Sequence, residues 1–153
     1  MEVLTDASVL VKWFKKGEEK EAQALILKDA VFAGKITVVV NEYVLLEIIR
    51  ALKKAGYPQG KIIDTKKFLD DLENLGFIKV IKVCDVRNLA MELIYVLNLY
   101  ASDALVLATA LIEKINLITE DKHLLKKKVI EYASKKGIKV LTLDYVDTII
   151  RHS

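Results

Sequence analysis

The chain has 153 residues, with 24 lysines and arginines against 21 acids and a net charge of +3. At 53% apolar and 29% charged residues it has a globular composition, which excludes a disordered chain, and its length favours one domain over residues 1–153 with a substantial core. No apolar run approaches the ~18 residues that a membrane-crossing helix needs, and the mild positive charge permits a nucleic-acid partner without demanding one.

Glu2 to Asp6 (EVLTD) reads as a short strand that ends in an acid, followed by the apolar run VLVKWF and a break at Gly17. Glu18 to Phe32 places Ala22, Leu25, Ile26 and Ala30 at helical spacing, with Gly34 as its C-cap. The β-branched run Ile36 to Val40 reads as a strand covered on both faces. Asn41 is placed to cap the next helix, Glu42 to Ala55, which ends at Gly56. After a turn at Tyr57 to Gly60 comes an amphipathic helix, Lys61 to Leu75. Phe77 to Val83 (FIKVIKV) then carries lysines suited to a sheet edge. Asp85 is read as the cap of a helix over Val86 to Asn98. The stretch Ser102 to Asp121 (SDALVLATALIEKINLITED) combines an apolar helix with a strand at Ile115 to Thr119. A basic helix from Asp121 to Lys135, a strand at Ile138 to Leu143 and a short helix capped by Asp144 complete the order. Alternating strands and helices predict an α/β fold, a parallel sheet between two helical layers (α/β/α).

This reading gives four acids a common address. Asp6 and Asp121 follow the carboxyl ends of their strands, the edge where open parallel sheets bind ligands. Asp103 opens a helix that starts on the same side. Glu47 lies early in the helix after Ile36 to Val40, between Val44 and Ala51 on its apolar stripe, where an unpaired charge is costly. Each acid has a plainer reading too: a turn or cap for Asp6, Asp103 and Asp121, and a boundary salt bridge for Glu47. Carboxylates gathered in a partly dry site repel one another, and a divalent cation relieves this. Oxygen-only donors suit Mg²⁺ or Mn²⁺, which support phosphodiester hydrolysis by an activated water.

At these residues the sequence resembles a PIN-domain ribonuclease, and within that group the VapC-type toxins of toxin–antitoxin pairs. TDAS at Thr5 to Ser8, LLEIIRAL at Leu45 to Leu52, SDALVLATAL at Ser102 to Leu111 and LITED at Leu117 to Asp121 resemble the family's acid motifs in order. The resemblance implies a five-stranded parallel sheet and Asp6, Glu47, Asp103 and Asp121 as metal-binding acids, supported by Ser8 and Thr119. It also implies Mg²⁺ or Mn²⁺, an RNA substrate, a homodimer and a VapB-like antitoxin. An RNA-processing nuclease outside a toxin system, and a non-catalytic RNA- or protein-binding domain of the same fold, stay open. Asn41 stands where relatives often have a proline, which affects how the chain enters the helix. An aspartate-nucleophile phosphatase is disfavoured because Ser8, two residues after Asp6, is not an acid. No Gly-rich phosphate loop of the GxxxxGK[ST] type is present.

Glu42 and Glu120 flank the acids and read as solvated or dipole-favoured charges. His123, and the lysines Lys126, Lys127, Lys128, Lys135 and Lys136, read as a solvated face or as contacts to RNA phosphates. Tyr43, Tyr57, Tyr95 and Tyr100 read as packing residues or base-stacking platforms. The single cysteine, Cys84, excludes an intrachain disulfide and reads as core filler in a strand. The opening MEVLTDASVL lacks the basic segment of a signal peptide, which with the single thiol predicts a cytoplasmic protein. Abundant lysine and scarce glutamine fit a thermophilic source.

Overall fold

The computed structural model describes residues 1–153. Five strands form one sheet: β1 (Glu2–Thr5), β2 (Thr37–Asn41), β3 (Ile78–Ile81), β4 (Leu117–Ile118) and β5 (Val140–Leu141). All pairings are parallel, in the order β3-β2-β1-β4-β5. The chain therefore builds outward from β1 through β2 to β3, then returns to the other side of β1 for β4. That reversal makes the gap between β1 and β4 the topological switch point. Val38, Val39 and Val40 are consecutive and fully buried. Successive strand residues point to opposite faces, so both faces of β2 are covered.

The helices are α1 (Ala7–Leu10), α2 (Glu21–Phe32), α3 (Glu42–Lys54), α4 (Gln59–Asn74), α5 (Val83–Leu97), α6 (Ala101–Glu113), α7 (Lys127–Lys135) and α8 (Val146–Arg151), with 3₁₀ turns at Val11–Trp13 and Leu143–Tyr145. Asn41 caps α3 as its sequence position suggests: its side chain accepts from Tyr43 N at 3.0 Å. The other end of α3 closes in a Schellman motif, with Tyr57 N bonding Leu52 O and Gly56 N bonding Lys53 O, both at 3.1 Å. Gly56 takes φ +81°, which a side chain would oppose. No single helix is long and apolar enough to cross a membrane.

One apolar cluster of 39 buried residues runs through the molecule. α6 lies at its centre, with Ala104, Val106, Leu107, Ala108 and Ala110 all buried against β1, β2, α3 and α5. The small alanines let the helix approach its neighbours closely.

Several boundaries move from their sequence positions. α2 begins at Glu21, because Lys20 takes a left-handed φ of 58°. α4 starts earlier, at Gln59, with Pro58 supplying φ −60° ahead of the first turn. β3 stops at Ile81 and α5 begins at Val83, so Asp85 sits inside the first turn and Lys82 holds the cap position. Cys84 is consequently exposed on that turn and is not core filler in a strand. The residues after Asp121 form a turn, and α7 starts only at Lys127. Asp144 lies in the second 3₁₀ turn and pairs with Lys20 at 2.9 Å, while Tyr145 occupies the cap position of α8. β4 and β5 are shorter than their apolar runs, although Leu117 N to Lys139 O and Thr119 N to Leu141 O, both 2.9 Å, continue the ladder.

Candidate active site

The β1–β4 register pairs Leu4 with Leu117 and Thr5 with Ile118. One step further along both strands, Asp6 meets Thr119. The Thr119 hydroxyl donates to Asp6 Oδ2 at 2.5 Å, and Ser8 Oγ donates to Asp6 Oδ1 at 2.5 Å. The same Thr119 oxygen accepts from Asp121 N at 3.0 Å, and Ser8 Oγ accepts from Glu120 N at 2.9 Å. Two hydroxyls thus tie the β1 loop to the β4 loop across the switch point. Asp121 turns its own side chain inward on this loop, with Oδ1 accepting from His123 N at 2.7 Å.

Asp6 and Asp103 are 5% and 7% exposed, and Glu47 is half-buried. Asp103 is the third residue of α6, and its side chain does not cap the helix. Neither Asp103 nor Glu47 accepts a hydrogen bond from the chain, and none of the four acids takes part in a salt bridge. Ala51, beside Glu47, is only partly covered, so the stripe is open at this point.

The acids also act on each other. Burial pushes the Asp6 carboxyl up to about 6, against the pull of the Ser8 and Thr119 hydroxyls, with the Asp121 charge adding to the rise. Burial raises Glu47 to about 7, and Asp6, Asp103 and Asp121 add to it in that order. Burial raises Asp103 to about 6, Asp121 and Asp6 add to this, and His123 and Lys126 oppose it. The structure therefore gathers all four sequence-predicted acids, with Ser8 and Thr119, at the carboxyl edge of the switch point.

Negative charge is concentrated here with no salt bridge to any of the four acids, His123 and Lys126 acting on Asp103 only from a distance. No three of the carboxylates already stand in coordination geometry about one point; mutual repulsion opposes closer approach. An all-oxygen, partly dry donor set with a charge deficit fits a hard divalent cation such as Mg²⁺ or Mn²⁺.

Three neighbours of the site have jobs that sequence reasoning did not assign. Glu42 Oε1 accepts from Val83 N at 2.7 Å and ties α3 to the start of α5. Glu120 Oε1 accepts from Leu143 N at 2.7 Å, and its other oxygen meets Lys20 at 3.0 Å. Lys20 also holds Asp144, bracing the β4 and β5 loops from outside. No periodicity points to Lys20, which lies in a loop with left-handed backbone.

A five-stranded parallel α/β sheet with clustered acids at its switch point defines the class of protein. The PIN domain family model matches residues 3–130, and the chain belongs to that family. Its fold is similar to a toxin–antitoxin complex from Klebsiella pneumoniae (TM-score 0.62, 21% identity, covering 92% of this chain and 97% of the other). It is also similar to VapBC2 from Rickettsia felis, solved bound to a DNA fragment from their promoter (TM-score 0.60, 16% identity, 93% and 98% covered). A third similar structure is a protein of Pyrobaculum aerophilum (TM-score 0.60, 18% identity, 100% and 97% covered). No curated protein matches the sequence.

Proposed function

We propose that this chain is a divalent-metal-dependent endoribonuclease and the toxin of a toxin–antitoxin pair. The observation that carries the nuclease reading is the set of four carboxylates without a salt bridge at the switch point, of which Asp6 and Asp103 are buried and Asp103 also has no hydrogen-bond donor. PIN domains are generally nucleases, and the family membership supports the same chemistry. The toxin reading rests on the toxin–antitoxin assemblies among proteins of similar fold.

In this reading Asp6, Glu47, Asp103 and Asp121 would hold Mg²⁺ or Mn²⁺, which when bound would supply Lewis-acid polarisation of a phosphoryl oxygen and an acidified water. Ser8 and Thr119 keep both Asp6 oxygens oriented and lower the cost of its charge. Glu47, half-buried and raised by burial and by the three neighbouring acids, would regain a stable charge beside the cation. RNA is the proposed substrate, a small VapB-like antitoxin the proposed inhibitor, and a homodimer the proposed assembly.

The test is cleavage of a mixed cellular RNA pool by the purified protein with Mg²⁺ or Mn²⁺. The reading expects cleavage that both EDTA and Asp6→Asn abolish. Cleavage that survives either control would place the activity outside these acids. Absence of cleavage together with a melting temperature unmoved by Mn²⁺ would remove the metal site and favour a non-catalytic binding domain.

A further inference from the structure

Beside the acid cluster lies a recess of about 280 Å³ lined by Asn98, Leu99, Tyr100, His123, Lys126 and Lys128. It lies just below the usual range of ligand pockets, ~300–1,000 Å³, a size for one nucleotide at most and not for an extended ligand. Tyr100 precedes α6 directly, three residues before Asp103, and His123 follows Asp121 by two. The recess therefore shares both of its walls with the cluster.

Its chemistry differs from that of its neighbour. Tyr100 is 68% exposed, yet its ring is held edge-on to His123 at 5.2 Å and 83°. An exposed aromatic face in a fixed orientation is a stacking platform. Lys126 and Lys128 form no salt bridge, whereas Lys127, between them, reaches Glu131 at 3.7 Å.

Three other tyrosines stand in different surroundings. The Tyr57 hydroxyl accepts from Lys16 N and lines a different recess with Trp13 and Phe68. Lys136 lies over the Tyr132 ring at 5.7 Å. Tyr43 shares a recess with Arg50 on the Glu47 flank, with one cation and no second ring.

We infer that Tyr100, His123, Lys126 and Lys128 form a subsite that seats one unpaired nucleotide of a single-stranded RNA next to the acids. The base stacks on Tyr100, and the two lysines hold the adjoining phosphates. A base inside a duplex has no free face to offer, so this subsite selects single strands. The inference rests on the nuclease reading for the identity of the strand, but its own test needs no catalysis.

The test is binding of a fluorescein-labelled, mixed-sequence RNA of about 12 nucleotides to the full chain in EDTA, read by anisotropy. Tyr100→Ala is expected to weaken binding about 5- to 150-fold, the effect of losing one base stack. Tyr100→Phe is expected to bind like the parent. A Lys126→Ala, Lys128→Ala double variant is expected to flatten the slope of log affinity against log salt by about 1.4, from ~0.7 per released counterion on a single strand. The same RNA annealed to its complement is expected to bind Tyr100→Ala and the parent alike. Thermal melts confirm that each variant is folded; an unfolded Tyr100→Ala is replaced by Tyr100→Ser.

Parent-like binding of the single strand by Tyr100→Ala overturns the subsite. So does a Tyr100→Phe defect as large as alanine's, or an equal loss on the duplex. Metal-dependent cleavage with no role for Tyr100 would leave the nuclease standing and remove the subsite. Tyr100-dependent binding with neither cleavage nor a melting temperature raised by Mn²⁺ would keep the subsite and remove the nuclease.

Discussion

The Thr119 hydroxyl donates to Asp6 at 2.5 Å and accepts from Asp121 N at 3.0 Å. One side-chain oxygen thus joins acids that lie 115 positions apart in the sequence. Thr119→Val keeps the shape and removes both bonds. A hydrogen bond to a charged group contributes about 1.5–3 kcal/mol, and the expected loss of stability at pH 8 is of that order. The Asp6 carboxyl lies at about 6, so at pH 4.5 it is neutral and the loss shrinks. Urea melts at the two pH values measure this; equal losses at both would mean that Thr119 does not act through the charge of Asp6.

Stability should also respond to pH in a direction set by the buried acids. Asp6 and Asp103 rise from 3.8 to about 6, and Glu47 from 4.5 to about 7. The folded state then binds more protons than the unfolded chain between about pH 4 and 7, so stability falls as pH rises through that window. In EDTA the melting temperature should drop over this range, and Asp103→Asn should drop less steeply. At pH 7.5, Mn²⁺ should raise the melting temperature of the parent, and Asp103→Asn should blunt that rise. A melting temperature in EDTA that climbs from pH 4 to 7 in the parent would contradict the electrostatic account.

The strain at the cluster has a neutral counterpart one residue earlier. Thr5 is fully buried and its hydroxyl has no partner. An unsatisfied buried polar group costs ~1–3 kcal/mol. Thr5→Val preserves the β-branched shape of the strand, and we expect it to stabilise the protein by about 1 kcal/mol. Denaturant titration decides this; a loss of stability would show that the hydroxyl has a partner in solution.

Asn41 is fully buried, caps α3 and donates to Thr109 Oγ1 at 3.3 Å. Removing a cap costs about 0.5–2 kcal/mol, so Asn41→Ala should destabilise by at least that amount. Because α3 carries Glu47, the variant should also weaken Mn²⁺-induced stabilisation. Asn41→Asp keeps an oxygen acceptor at the cap and should recover part of the lost stability. Melting curves with and without Mn²⁺ separate the two effects.

Asp6, Asp103 and Asp121 were legible in the sequence because they stand at the ends of apolar runs, which in a parallel sheet fall at strand and helix ends, and Glu47 because it interrupts the apolar stripe of α3. The parallel α/β sheet followed from the alternation of strands and helices, but its order β3-β2-β1-β4-β5 did not, because alternation does not say on which side of β1 a later strand docks. What the sequence hid was conformational. FIKVIKV continues unbroken into Val83 by its alternation, so nothing signalled that the strand stops at Ile81 and that Cys84 turns outward on α5. Asp144 looks like a helix cap until Lys20 is seen beside it. Lys20 itself belongs to no periodic face, and only the folded backbone brings it between Glu120 and Asp144. The turn after Asp121 is likewise invisible, since its lysines and leucines suit a helix as well.

The placement of β4 beside β1 has a consequence for a chain emerging from the ribosome. Asp6, Glu47 and Asp103 are all synthesised before Leu117, but the strand that completes the cluster docks only when β4 is available to pair with β1. Until then Asp6 lacks Thr119, and the fourth acid has not been made. A partly translated product therefore presents three acids without the architecture that orders them. Assembly of the cluster is a late event of biosynthesis, which separates the birth of the polypeptide from the onset of whatever chemistry it performs.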